Sequence, residues 1–236
     1  MTGQTFDILL EDEWLVAINK PCGILVHRTP ISQDTISVLQ LLRAQVHQRL
    51  YPIHRLDRPT SGVLLFAKTR QAAAFLSEQF REHKVRKIYW AIVRGFLPAE
   101  GLIDHPVKTE RDPGGQPAIT HFRCLAQQEL PVAVGRYPTA RYSWAEAHPK
   151  TGRKHQIRKH FAHLSHPVIG DKRYGDNKHN AFFSTQLGIE RMLLHARSLE
   201  FVHPATGPCC LQAPLDEAFA KAIDLIRADA QGATNP

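Results

Sequence analysis

Val63-Leu64-Leu65-Phe66-Ala67 is an unbroken apolar run rich in strand-forming residues, and it constrains the fold more than any other stretch of the chain. With no polar position to turn toward water, it reads as a buried strand. The segment before it is His54-Arg55-Leu56-Asp57-Arg58-Pro59-Thr60-Ser61-Gly62. Pro59 lacks an N–H and Gly62 tolerates unusual dihedrals, so residues 57–62 are expected to form a tight loop feeding that strand. A lone carboxylate, Asp57, stands on this loop between Arg55 and Arg58. A loop anchored by a rigid strand is a good place to hold a reactive side chain still. The same residues equally suit a surface turn with a solvated Asp–Arg pair.

Around this stretch the chain reads as strands and helices in mixed order. Trp14-Leu15-Val16-Ala17-Ile18 predicts a strand that ends at the turn Asn19-Lys20-Pro21-Cys22-Gly23, and Leu25-Val26-His27-Arg28 resumes an extended segment. Residues 35–49 carry Ile36, Leu39, Leu42 and Val46 at helical spacing. Residues 70–84 place Ala73, Leu76, Phe80 and His83 on one face behind Thr69, a suitable N-cap. Residues 88–93 read as a strand, preceded by Lys84, Arg86 and Lys87. The stretch 98–118 is rich in Gly, Pro and charge, and residues 111–117 are expected to be a flexible loop. Three strands follow, at 119–125, 132–134 and 142–147. Strands with few intervening helices imply a mixed, largely antiparallel sheet and hence an α+β fold. Thr151 to His160 is the densest basic segment and should begin a helix with Ile157, Phe161 and Leu164 on its buried side. A strand is expected from Met192 to Val202, an amphipathic helix over 214–229, and a frayed tail from Gln231 to Pro236.

Composition bears on the partner. Thirty Lys and Arg against 22 Asp and Glu give a net charge of +8 over 236 residues, which suits a polyanion such as nucleic acid. The longest apolar runs hold about five to seven residues, far short of the roughly 18 that a membrane span needs. Cys22, Cys124, Cys209 and Cys210 show no C-x-x-C spacing, so they read as reduced thiols of a cytoplasmic protein. His155, His160, His163 and His166 crowd together and raise a zinc reading, but no Cys is near and no Glu stands in an H-E-x-x-H arrangement.

His-Arg-Leu-Asp-x-x-Thr-Ser-Gly followed by a strand resembles the catalytic motif of the RluA-type pseudouridine synthases. Asn-Lys-Pro-x-Gly-x-x-Val-His at 19–27 resembles the opening of that catalytic domain. Lys87-x-Tyr89-x-Ala91-x-Val93-x-Gly95 resembles the family's second motif, and Thr151-Gly152-Arg153-x-His155-Gln156-Ile157-Arg158 its third. The resemblance covers roughly residues 8–213.

It implies the pseudouridine synthase catalytic fold over residues 1–230, a sheet core flanked by helices with no separate N-terminal RNA-binding domain. It also implies a cofactor-free, metal-free isomerase that turns uridine into pseudouridine in RNA. Asp57 would be the catalytic carboxylate, Tyr89 the ring stacked on the target uracil, and Arg158 the guanidinium paired with the aspartate. Arg55 would enter the stack vacated by a flipped uridine, and Leu194 would pack under the base. His54, Lys87, Arg153, Lys154 and His155 complete the expected substrate-binding set. Gly135-Arg136-Tyr137-Pro138-Thr139-x-Arg141-Tyr142 resembles a subgroup that modifies uridine 65 of certain tRNAs. The expected protein is therefore a cytoplasmic, monomeric tRNA enzyme with no membrane partner. Ribosomal RNA as substrate, and a non-catalytic RNA-binding module on the same fold, are the alternatives.

Overall fold

The computed structural model describes residues 5–27, 36–109 and 112–227. Arg28, Arg111 and the tail Gln231 to Pro236, on which sequence expectations fall, lie outside the described residues. In chain order, β1 (Asp7–Glu11) and β2 (Leu15–Lys20) form an antiparallel pair. α1 (Val38–Val46) begins one turn later than the apolar spacing implies. Ser37 takes the N-cap position, so Val38 and Leu42 turn inward while Ile36 stays 53% exposed. β3 (Tyr51–Pro52) leads to β4 (Ser61–Ala67), buried at all seven positions as the apolar run requires. α2 (Arg70–Arg81) starts where expected, with the Thr69 hydroxyl accepting the Ala72 N–H at 3.1 Å. It stops three residues short of 84, and His83 adopts a left-handed φ of 57°.

β5 (Arg86–Arg94) is followed by β6 (Glu100–Asp104), β7 (Val107–Thr109) and β8 (Asp112–Gln116). The expectation of a flexible loop at 111–117 is thus overturned across 112–116, where β8 pairs antiparallel with β7. Side chains supply what β-propensity lacks there. Thr109 accepts the Asp112 N–H and Asp112 accepts the Gly115 N–H, so an Asp-Pro-Gly-Gly-Gln sequence closes into a hairpin. β9 (Ile119–Leu130) runs five residues past the expected 125, and β10 (Ala140–Pro149) pairs with it. The expected strand at 132–134 reduces to a single bridge between Val134 and Tyr137.

α3 (Gln156–His163) buries Ile157 and Phe161 as expected, with Leu164 partly buried. It begins after Lys154 and His155, which therefore do not share a helical face with Arg158. His155 takes a left-handed φ of 58° that ends the incoming loop. α4 (Asn177–Leu187) has no counterpart in the sequence expectation. β11 (Leu194–His203), β12 (Gly207–Gln212) and α5 (Glu217–Arg227) complete the chain, with Phe219, Ile223 and Ile226 of α5 buried. Among the described residues, no helix is long and apolar enough to cross a membrane.

The chain forms two compact units, Met1–Lys87 with Ala196–Pro214 and Ile88–His195 with Leu215–Pro236. The first has the strand order β1-β2-β4-β11, with β3 also on β4 and β12 on β11. Its core joins Leu15 and Ala17 of β2, Val63 and Leu65 of β4, Leu76 of α2 and Phe201 of β11. Gly62 has φ +111°, and a Cβ there would lie 2.2 Å from the Ala196 carbonyl oxygen, so only glycine admits this approach of β4 to β11. The second unit has the order β5-β10-β9-β6, antiparallel throughout, with two apolar clusters, one under α3 and one under α5. The architecture is the α+β, largely antiparallel arrangement flanked by helices that the strand run implies.

Candidate active site

In the first unit the loop carrying Asp57 is fastened to the Asn19–Gly23 turn by a buried cation. Lys20 is wholly buried, and its Nζ donates to the carbonyls of Thr60 (2.7 Å), Pro21 (2.9 Å) and Arg58 (3.2 Å). A buried ammonium is costly unless its protons are taken up, and these three backbone carbonyls accept them. The Gly23 N–H donates to Arg58 O at 2.9 Å, and Arg58 Nε donates back to Gly23 O at 2.9 Å. Cys22 Sγ reaches Pro59 O at 3.1 Å. The Thr60 N–H donates to Asp57 O at 3.0 Å, closing a turn over residues 57–60. Asp57 is partly buried, its neighbour Leu56 is buried, and Arg55 and Arg58 are exposed. Two stretches 30 to 40 residues apart in sequence thus form one rigid seat for the carboxylate.

His54 serves this seat from below. Its ring stacks on Phe80, with centroids 4.9 Å apart and planes at 16°, and its Nε2 lies 3.1 Å from the Leu65 N–H. A backbone N–H only donates, so Nε2 must be the acceptor and the neutral ring carries its proton on Nδ1. Burial, with a smaller contribution from the Lys87 charge, lowers the His54 pKa to about 3, so the ring is neutral at pH 7.

In the second unit, Arg158 is 5% exposed and forms a fork with Asp171. Nε donates to Oδ2 at 2.7 Å and Nη2 to Oδ1 at 2.8 Å. The Arg173 and Tyr174 N–H groups also donate to Asp171 Oδ1, at 2.9 and 3.1 Å. Burial works to raise the Asp171 pKa. The Arg158 hydrogen bonds and charge, with the two backbone donors, outweigh it and hold the carboxyl below its usual range. The Tyr174 ring lies 5.1 Å from the Arg158 guanidinium carbon, and its hydroxyl is 2.9 Å from His155 Nδ1. Gln156 fixes the start of α3. Its Oε1 accepts the Arg153 N–H at 3.0 Å, and its Nε2 donates to Ile119 O and Thr120 Oγ1, each at 3.0 Å.

Tyr89 on β5 is partly buried and packs on the apolar cluster that contains Leu194, Ile157 and Phe161. Arg153 and Lys154 are exposed, and Arg153 Nε donates to Pro117 O at 3.3 Å. The four clustered histidines do not converge on one point, although two of them meet the same residue, His105. His155 meets Tyr174, His160 the carbonyl of His105, His163 stacks on His105, and His166 meets the carbonyl of Arg94. Among the described residues, no three His, Cys, Asp or Glu side chains are grouped to hold a metal.

Sequence reasoning did not single out Lys20, Gln156, Asp171 or Tyr174. Lys20 and Gln156 stand inside the stretches quoted above, which was the available signal, and Asp171 and Tyr174 both lie in the segment that follows the third of those stretches.

A sequence profile described as RNA pseudouridylate synthase matches residues 14–163. A protein of Salmonella typhimurium described as tRNA pseudouridine synthase C is 47% identical over 92% of this chain and 88% of its own length. Its namesake in Haemophilus ducreyi is 49% identical over 85% and 86%. The solved structure of human RNA Pseudouridylate Synthase Domain Containing 4 superposes with a TM-score of 0.74 at 28% identity, over 94% of this chain and 93% of that one. On these matches, the chain belongs to the RNA pseudouridylate synthase family.

Proposed function

We propose that this protein is a cofactor-independent isomerase that converts a specific uridine of tRNA, uridine 65, to pseudouridine. The observation that carries the tRNA assignment is the 47% identity, over 92% of the chain, to a tRNA pseudouridine synthase C. The reaction breaks the C1′–N1 bond, turns the uracil and joins C1′ to C5. A proton leaves C5 and one is gained at N1, so atoms balance without a redox partner.

Asp57 is the catalytic carboxylate. The Lys20-fastened turn supports that role, because it fixes the Asp57 backbone at the cost of a buried charge that a plain surface turn does not need. Arg55, exposed on the same loop, is the side chain that enters the stack when the uridine leaves it, and opening the stack costs about a few kcal/mol. Tyr89 supplies a π-face for the extruded uracil, worth roughly 1–3 kcal/mol, with Leu194 in the same cluster beneath it. Arg158 supplies the guanidinium that assists this carboxylate. The exposed Arg153 and Lys154, with Lys87 and His155, hold phosphates. His54 acts on substrate through the loop that it supports. The protein works as a monomer in the cytoplasm.

The test is to map pseudouridine in total tRNA and rRNA from cells lacking the protein, and from the same cells given wild type or Asp57→Ala. Loss of the tRNA position 65 modification, restored by wild type alone, is the expected result. Loss of a ribosomal site would overturn the substrate. Full rescue by Asp57→Ala would overturn the role of the carboxylate.

A further inference from the structure

The second unit holds a cavity of about 910 Å³ that the roles above leave unused. It lies between the 134–141 segment, the end of β5 and the start of α4. Four cations line it, Arg94, Arg136, Arg141 and Lys178, against one carboxylate, Asp176. The cations differ in how they are spent. Arg94 pairs with Asp176 at 2.5 Å and Arg141 with Glu129 at 3.2 Å. Arg136 and Lys178 are both exposed, and neither forms an ion pair among the described residues.

The same cavity is lined by Tyr137, 57% exposed, the most exposed large hydrophobic side chain among the described residues. The Arg136 guanidinium carbon lies 4.9 Å from its ring centroid, and Arg136 Nη2 donates to its hydroxyl at 2.7 Å. This display is held in place. Val134 and Tyr137 bridge across the turn, Gly135 has φ +75°, and the Lys178 side chain lies against Gly135, its Cδ 3.2 Å from where a Cβ would be. Thr139 donates to Glu129, which also takes Arg141.

A small inorganic anion would use the cations and leave the aromatic ring idle, and a neutral apolar ligand would do the reverse. A nucleotide uses both, a phosphate between Arg136 and Lys178 and a base on the tyrosine face. We propose that this cavity binds one nucleotide of the substrate RNA other than the uridine that is isomerised, and so contributes to the choice of RNA. The proposal rests on the reading of the protein as an RNA-modifying enzyme.

The test measures binding of an unmodified tRNA transcript across a salt series for wild type, Tyr137→Ala, Tyr137→Phe and Arg136→Ala/Lys178→Ala, with pseudouridine formation followed in parallel. Tyr137→Ala is expected to weaken binding by about 5- to 150-fold, the loss of one base stack, and to raise KM while leaving kcat unchanged. Tyr137→Phe keeps the ring and should stay within about twofold of wild type. The double variant should lower the slope of log K against log salt by about 0.7–0.9 for the phosphate it releases. Equal tRNA binding by wild type and Tyr137→Ala would overturn the proposal. So would competition by free UMP or AMP that is abolished by Tyr137→Ala while tRNA binding is untouched, since the site would then serve a free nucleotide. A wild type that forms no pseudouridine, yet loses RNA affinity through Tyr137→Ala, would overturn the enzymatic reading and leave this one standing.

Discussion

His54→Gln should make the protein less stable at pH 7 and more stable at pH 4.5. In the native protein the His54 pKa lies at about 3, against 6.5 for the unperturbed side chain. Above pH 6.5 both states hold a neutral ring and the group adds no pH dependence. Below it the unfolded chain takes up a proton that the native ring refuses, so stability is lost as pH falls toward the folded pKa, by about 1.4 kcal/mol per unit. Two units below, at pH 4.5, the loss is roughly 2.7 kcal/mol. Geometry gives the same sign independently, because protonating Nε2 would set two donors, its own N–H and that of Leu65, against each other.

Glutamine does not titrate, and its side-chain oxygen can accept the Leu65 N–H. It forfeits the stack on Phe80, a loss of about 1 kcal/mol. The variant should therefore be about 1 kcal/mol less stable at pH 7, equal to wild type near pH 5.8, and roughly 1.7 kcal/mol more stable at pH 4.5. Urea unfolding followed by circular dichroism at four pH values between 4.5 and 7 measures the difference, in which the other titrating groups cancel. A gap that does not change with pH would refute the assignment of His54 as a neutral acceptor.

Lys20→Met removes the donor shared by three carbonyls and should cost about 3 kcal/mol, with the Thr60 amide exchanging faster and kcat falling although Asp57 is intact. Gly62→Ala combines a left-handed φ with a Cβ 2.2 Å from the Ala196 oxygen. A loss of at least about 3 kcal/mol is expected by chemical denaturation, and a loss below about 1 would show that the strands part easily. Asp171→Asn leaves a buried guanidinium without its carboxylate. It should cost about 3–5 kcal/mol and lower kcat more than it alters KM. Stability carried by Asp171, present above the unfolded carboxyl pKa and lost as pH falls through its lowered native value, should vanish from the acid limb of that variant's unfolding profile.

What could be read from the residues was whatever rests on local chemistry. The apolar run of β4, the Thr69 cap of α2, the stripe of α5 and the Asp57 loop are each specified within a dozen residues, and each stands where expected. The elements that went unread lack a local signature. α4 buries only Phe183, and the β8 hairpin is built from Gly and Pro and held by Asp112 and Thr109. The site divides the same way. A lone Asp on a Pro-Gly loop, Tyr89 in a strand and Arg158 in a basic segment were visible as residue types in a pattern. That Lys20 would be spent on carbonyls 38 and 40 residues away was not. Nor was it visible that Arg158 would take Asp171 as a bidentate partner, or that His54 would be held neutral. The sequence by itself determined those strands, helices and turns whose signature is local, and which family the chain resembles. Tertiary structure alone decided which polar groups lose water and which partner each then takes, because a charge acquires its partner and its pKa only when packing removes the solvent that would otherwise serve it.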